Sequence, residues 1–371
     1  MDHGELRALN MSSVPPKPRV LMSYNRPPGG GNPYTAFLAQ ALADDVDLQF
    51  FSWKTALIGR WDIFHLHWPD ALVVAPSAAR ELLKSFLLVA LVLRIRLTRK
   101  TLVWTVHNLK PHEAGRRTTA FAIDLLIRAV DVRIYLNSSE DNDLSLGVTV
   151  PHGDYVPLLR QHKEGGWASQ ERVVHQILHF GLVRPYKGIE SLIESYEQQR
   201  LPGSSLVILG AAKNAQYRHT IQQLADAHPG TAFDARFVED PELLDQLAES
   251  RLVVLPYLQM YNSGALIYAL SFGCPVLAPV SSSNLALQRE VGSELLTLYQ
   301  GPLTGEVLEA AYRDAPARRT SASAFSERRS WATTGLAHVR LYRALRGARA
   351  ARAADMRARV AAAVAAPDQA A

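Results

Sequence analysis

Apolar residues along the chain come in short β-rich runs, each followed by a turn and then by a segment of helical character. In the first part these runs are RVLMSY (19–24), DLQFFSW (47–53), the buried-looking DIFHLHW (62–68) and TLVWTVHN (101–108). The second part repeats the grammar with HQILHFGLV (175–183), SSLVILGA (204–211), TAFDARFV (231–238), RLVVLPY (251–257) and PVLAPV (275–280). Strands alternating with helical segments predict βαβ units and parallel sheets. The pattern breaks at VTVPHGDYVP (148–157), which polar QHKEGGWASQE (161–171) follows. The expected architecture is α/β: two doubly wound Rossmann-like domains, residues 19–150 and 151–330, facing a cleft. A disordered leader (1–18) and a helical basic tail (331–371) complete the expected organisation. Two facing sheets of this kind place their strand C-termini, and therefore their ligands, in the cleft.

Two segments at predicted strand ends carry candidate chemistry. In SGALIYALSFGCPVLAP (263–279) a short helix starts on two small residues in a stretch almost without charge. One reading is a packed βαβ unit with Ser263 as its N-cap. The other is an anion site, because unpaired N–H groups with the helix dipole behind them bind phosphate without a charged side chain. Ser263 would cap or donate, Gly264 would allow close approach, and Ala265 completes the turn. In FGLVRPYKG (180–188) a strand ends at Gly181, Arg184 and Lys187 follow, and Gly188 lets the backbone turn into IESLIESYEQQ. Two cations there would neutralise a pyrophosphate in the cleft, or would belong to a solvated basic loop.

Composition changes the picture in three ways. At 371 residues the chain has room for two such domains with sizeable cores. A single cysteine, Cys274, rules out an internal disulfide framework and a cysteine metal cluster, and suits a reducing cytosol. The net charge of +5 is unevenly spread, with Arg and Lys crowding residues 80–117 and Arg crowding the tail from Arg340 to Arg359. SFLLVALVLRIRLTRK (85–100) is apolar and then basic; its 13 residues from Ser85 to Leu97 would span about 20 Å as a helix, short of the roughly 30 Å hydrocarbon core. It reads either as a core helix with a basic end or as an interfacial helix whose Arg94, Arg96, Arg99 and Lys100 meet anionic lipid. The Ala/Arg-rich tail has the same two readings, solvated or surface-binding. No nucleic acid partner is expected, since the basic clusters lack interleaved aromatics and any binding motif.

PPGGGNPY, TVHNLKPHE, PHGDY, FGLVRPYKGIESLI and NSGALIYALSFGCPVLAP, in this order over roughly residues 19–345, resemble the two-Rossmann-domain glycosyltransferases of the GT-B fold, near family 4. Within that group the chain is similar to bacterial enzymes that add a sugar, often mannose, to lipid-linked oligosaccharides in polysaccharide assembly. The resemblance implies a nucleotide-diphosphate sugar, GDP- or UDP-linked, as co-substrate, with no cofactor and no metal. It also implies a lipid-linked saccharide acceptor and a cytoplasmic enzyme held peripherally on the anionic inner face of the cell membrane. Arg184, Lys187, Ser263, Gly264 and Ala265 would bind the donor diphosphate, and His107 would contact the donor sugar or its phosphate. Gly30, Gly31, Asn32 and Tyr34 would line the acceptor side.

One departure matters for mechanism. Many family members carry two glutamates spaced E-x7-E, where this chain has Met260 and Tyr268. Retaining chemistry is then in question, and an inverting enzyme needs a general base on the acceptor side, for which Asp70 and Glu113 are the candidates. His65 and His67 either line an acceptor pocket with Trp68 and Asp70 or are core histidines; His112 lies near Glu113. DDVD (44–47) and EDND (140–143) read as solvated surface. The alternatives are a sugar-nucleotide epimerase of the same fold and a non-catalytic glycan- or nucleic-acid-binding relative.

Overall fold

The computed structural model describes residues 16–26, 32–108, 117–145, 147–162, 172–173, 175–199, 201–319, 323, 325, 327–347 and 362. Gly30, Gly31, His112, Glu113, the leader up to residue 15 and the tail beyond Gly347, residue 362 apart, lie outside them.

The first sheet is built from β1 (Arg19–Met22), β2 (Asp47–Phe50), β3 (Ile63–Leu66), β4 (Thr101–Val106), β5 (Val132–Tyr135) and β6 (Gly147–Thr149). All are parallel, in the order β2-β1-β3-β4-β5-β6. β3 and β4 are buried along their whole length, as strands covered on both faces by helices must be. The connecting helices are α1 (Pro33–Leu42), α2 (Trp53–Ile58), α3 (Ala78–Leu97) and α4 (Arg117–Arg128).

After α5 (Val156–His162) and the short β7 (Arg172–Val173), the second sheet follows: β8 (Gln176–Phe180), β9 (Ser205–Leu209), β10 (Thr231–Asp234), β11 (Ser250–Val254), β12 (Val276–Pro279) and β13 (Leu296–Tyr299). Its order is β10-β9-β8-β11-β12-β13, again parallel throughout. Helices α6 (Ile189–Gln199), α7 (Ala215–Ala227), α8 (Asp240–Glu249), α9 (Gly264–Ser271), α10 (Ser282–Val291) and α11 (Gly305–Asp314) join these strands. β14 (Arg318–Arg319) pairs antiparallel with β7. Strand order reverses between β1 and β3 in the first sheet and between β8 and β11 in the second. Loops at such a reversal diverge to opposite faces and leave a crevice beyond the strand C-termini.

The chain crosses between the sheets at PHGDY and crosses back in α12 (Trp331–Gly347). The two crossings are bonded to each other. The Asp154 N–H donates to the Arg329 carbonyl at 2.9 Å, and the Trp331 indole N–H donates to the Asp154 carbonyl at 2.7 Å. Arg329, 4% exposed, holds the His152 carbonyl at 2.9 Å and pairs with both oxygens of Glu290 at 2.7 Å. A Cβ on Gly153 would stand 2.5 Å from the Trp331 indole. That ring is itself wedged against Tyr34 and Phe37, with centroids 5.5 Å away in each case. Gly153→Ala is accordingly expected to lower stability by about 1–3 kcal/mol through overpacking, read as a fall in thermal midpoint; an unchanged midpoint would contradict the crossing geometry.

α12 does not lie free as a solvated or lipid-facing tail. Trp331, Val339, Leu341, Tyr342 and Leu345 are buried, and Gly335 passes so close to Ala41 of α1 that a Cβ would stand 2.8 Å from it. The Tyr342 hydroxyl lies 2.6 Å from Nδ1 of His65 on β3. The last described helix of the chain therefore completes the core of the first domain.

Candidate functional site

A cleft of about 620 Å³ opens at the β8/β11 reversal, bounded across from it by Asn32, Pro33 and Asn108 of the first domain. The sequence after β8 explains the shape. Gly181 and Gly210, which end β8 and β9, touch so closely that a Cβ on Gly210 would fall 1.9 Å from the Gly181 carbonyl oxygen. A one-turn 3-10 helix, Pro185–Lys187, then closes on Gly188 at φ +63°, and the chain enters α6. This turn folds Lys187 back under the cleft, leaving it 6% exposed.

The Lys187 ammonium donates to the Tyr257 hydroxyl at 2.8 Å and lies 4.7 Å from the centre of that ring. No carboxylate pairs with it among the described residues. A buried cation whose partner is neutral carries a desolvation penalty of several kcal/mol, which an anion in the cleft would offset. His179, behind it on β8, gives its Nδ1 to the Val254 carbonyl at 2.8 Å. Burial first, and the Lys187 charge second, lower its pKa to about 3.

Ser263, Gly264 and Ala265 line the same cleft. The Ser263 oxygen accepts from the Leu266 N–H at 3.2 Å and so caps α9. The amides of Gly264 and Ala265 are the open donors of the first turn. Around Gly264 the nearest foreign atom to an added Cβ is the Tyr155 hydroxyl, at 3.4 Å. Both readings of this turn hold at once: the serine is a cap, and the helix start faces a cavity.

Met260 and Tyr268 also face the cleft. Met260 accepts a weak contact from the Asn284 amide at 3.2 Å. The Tyr268 hydroxyl donates to the Asp240 carboxylate at 3.1 Å, and burial raises the Asp240 pKa while that bond opposes the rise. Glu239 and Asp240 line the cleft although sequence reasoning passed over them. VEDPE reads as the charged first turn of a surface helix, and only the 28-residue separation between Asp240 and Tyr268 closing in space reveals the carboxylate.

Of the remaining candidates, only Asn32 among the described residues lines the cleft. Arg184 caps the 3-10 helix and is not part of the cleft lining. Asn32 lines the cleft, with its side chain accepting from the Tyr34 N–H at 3.1 Å. Tyr34 itself is 2% exposed, its ring 5.1 Å from His107 and 4.8 Å from His152. Asp70 sits in the short helix Pro69–Leu72, outside the cleft lining. His107 stands just behind Asn108: its ring stacks on Trp68 at 4.3 Å and its Nε2 lies 3.1 Å from Nδ1 of His67.

His65 and His67 are core histidines, 0% and 1% exposed, the former held between Tyr342 and the Thr105 hydroxyl, 2.8 Å from its Nε2. Burial, and then the neighbouring imidazoles, hold both well below the usual histidine range. Burial also lowers His107 to about 3 and His338 to about 4. All of these rings are neutral when folded, so below about pH 6.5 the unfolded chain binds more protons than the native one. Stability is full above that pH and falls on acidification, by up to about 1.4 kcal/mol per pH unit for each ring until its folded pKa is reached. A thermal midpoint that drops steeply between pH 7 and pH 4.5 is expected; a flat profile would contradict the neutral cluster.

Asn262, which precedes the cap, ties the two domains at the cleft floor. Its amide donates to the carbonyls of Val106 and His107 at 3.1 and 3.2 Å, and its oxygen accepts from Asn137 at 2.7 Å. Among the described residues no group of three or more His, Cys, Asp or Glu side chains is placed to hold a metal ion.

No protein-family model matches the chain. Two curated proteins of Xanthomonas campestris pv. campestris do, both GDP-mannose:glycolipid 4-beta-D-mannosyltransferases. One is 35% identical over 334 residues, 89% of this chain and 93% of its own length; the other is 34% identical over 337 residues with the same coverage. Among solved structures, sucrose-phosphate synthase from Thermosynechococcus elongatus superposes with a TM-score of 0.61 at 15% identity, covering 90% of this chain and 100% of its own. Anabaena HepE in complex with UDP gives 0.55 at 16% identity, covering 93% and 98%. At these identities the structural likeness establishes the fold alone.

Proposed function

The chain belongs to the family of GDP-mannose:glycolipid 4-beta-mannosyltransferases and has the two-domain GT-B fold, and from that membership we propose that it transfers mannose from GDP-mannose to a sugar 4-hydroxyl of a lipid-linked acceptor. Membership makes it a glycosyltransferase and sets aside the epimerase and the non-catalytic relative. The observation that carries the donor assignment is the buried Lys187, without a carboxylate partner, sharing its cleft with the open first turn of α9. Together they form a preorganised site for a diphosphate that gains charge as the glycosidic bond breaks. GDP-mannose carries its sugar in the α configuration, so a β-linked product means inversion. That reading agrees with the absence of glutamates at Met260 and Tyr268, and it requires a base on the acceptor side.

We infer that the reaction needs no metal, because the cation at the leaving group is Lys187. Labelled GDP-mannose, incubated with the enzyme and lipid-linked saccharides, is expected to give a β-mannosylated, lipid-extractable product and GDP, with the rate unchanged by EDTA. An α-linked product, or labelling from UDP-sugars alone, would overturn the assignment.

No helix among the described residues is long and apolar enough to cross a membrane. α3 leaves Leu82, Leu83, Phe86, Leu93 and Leu97 exposed, which supports attachment to the inner face of the cell membrane through this helix. Two of its four expected lipid contacts are engaged in the fold. Arg94 donates to the carbonyls of Ala56 and Gly59 at 2.5 Å, and Lys100 lies over the Trp61 ring at 4.5 Å. Arg96 and Arg99 are exposed. The charge contribution therefore rests on this pair, at about 1 kcal/mol each near an anionic surface. Arg96→Gln with Arg99→Gln is expected to weaken sedimentation with anionic vesicles about tenfold or more; equal sedimentation would refute a role for these residues.

A further inference from the structure

A second cavity, of about 520 Å³, opens at the other strand-order reversal, between β1 and β3 of the first sheet. Its walls are the segments that leave β1 (Ser23, Tyr24, Asn25), β2 (Phe51, Ser52, Trp53) and β3 (Trp68, Ala71, Leu72), with Lys84 of α3 at one side. Nothing in the donor site uses it. We propose that this cavity is the subsite for the acceptor's glycan beyond the sugar that receives mannose, an assignment that rests on the transferase reading above.

Three observations converge on a saccharide. The cavity lies where doubly wound sheets bind their ligands, and its volume falls within the range of about 300–1,000 Å³ usual for small-molecule sites. Four aromatic rings, Tyr24, Phe51, Trp53 and Trp68, stand among few polar groups. The C–H faces of pyranose rings carry slight positive charge and settle on the negative faces of such rings. A polar group suited to sugar hydroxyls completes the lining: Asn25 is exposed with no hydrogen-bond partner among the described residues.

Position links the two cavities. Trp68 lines the second cavity, and its other neighbour is His107, stacked on it at 4.3 Å. Asn108, next in the chain, lines the donor cleft. The Trp68–His107 stack is thus the partition over which an acceptor chain passes to present its terminal sugar to the donor. On the far side, Lys84 and Leu72 of the lining adjoin exposed Leu83 and Val74, 58% and 53% exposed. An amphipathic acceptor meets apolar surface there for its lipid and aromatic walls for its glycan.

The test uses full-length enzyme labelled with 5-fluorotryptophan, with the Trp53 resonance assigned by its absence in Trp53→Phe. Octyl glycosides of gluco- and manno-configured di-, tri- and tetrasaccharides are titrated with and without GDP. At least one is expected to shift the Trp53 and Trp68 signals, and GDP alone to leave Trp53 unmoved. Trp53→Ala is expected to raise the KM for that acceptor about tenfold or more, and Asn25→Ala, at an exposed position that leaves the core intact, severalfold. The affinity for GDP should stay within twofold in both. No shift from any saccharide, or unchanged acceptor KM in the folded variants, overturns the subsite. Absence of GDP binding with the saccharide shifts retained would instead refute the donor assignment.

Discussion

Lys187→Ala is expected to lower kcat/KM for GDP-mannose by about a hundredfold to a thousandfold, the loss that follows removal of one preorganised group from the site of developing charge. The side chain is buried, its partners are the hydroxyl and ring face of Tyr257, and no carboxylate among the described residues compensates its charge. Lys187→Met, which keeps the volume and deletes the charge, separates the two roles. It should be at least as stable as the parent, because an uncompensated buried cation is gone, yet as inactive as the alanine variant. His179 supplies an internal control. Lys187 is the second cause of its lowered pKa, so its ring should titrate at higher pH in both variants. Turnover within threefold of the parent in Lys187→Met would remove the lysine from the mechanism. Arg184→Ala, outside the cleft lining, should have a far smaller effect.

Gly264→Val is expected to abolish measurable GDP binding while the protein stays folded. Its backbone is not in the left-handed region, and a Cβ there meets only the Tyr155 hydroxyl, at 3.4 Å. The first carbon of a side chain is therefore accommodated. The two branches beyond it project from a bare helix start into the space where the anion sits, and they stiffen the turn. Calorimetric titration should show at least a hundredfold weaker binding, about 2.7 kcal/mol. Ser263→Ala should do less to binding, about 1 kcal/mol, and should also cost about 1 kcal/mol of stability, because the same oxygen caps α9. Normal affinity in a folded Gly264→Val protein would make α9 purely structural.

The fold was legible because its signal is local. Apolar runs such as DIFHLHW and RLVVLPY with helical segments between them leave few options besides two parallel sheets. FGLVRPYKG and SGALIYAL were legible for the same reason, since each is one strand end plus one turn. What stayed hidden depends on distant segments meeting. Asp240 came into view only because Tyr268 hydrogen-bonds to it from another helix. Arg184 and Lys187, three residues apart and alike in sequence, separate because one 3-10 turn folds the lysine back under the cleft and leaves the arginine outside its lining. His65 and His67 offered a pocket or a core, and the choice fell to Tyr342, 277 residues from His65. Glu113 and the three consecutive glycines lie outside the described residues, and no local pattern assigns them.

The return of α12 to the first domain has a consequence for how the polypeptide is made. β1 through β6 leave the ribosome early, but the surface that Tyr342 and Leu345 cover stays open until roughly 200 further residues have been synthesised. At about 5–20 residues per second that interval is about 10–40 s, during which the nascent first domain lacks the apolar cover of α12 and His65 lacks its Tyr342 partner. The second domain is complete before the first one is closed. Vectorial synthesis thus completes the second domain's side of the cleft before the first domain's side is closed.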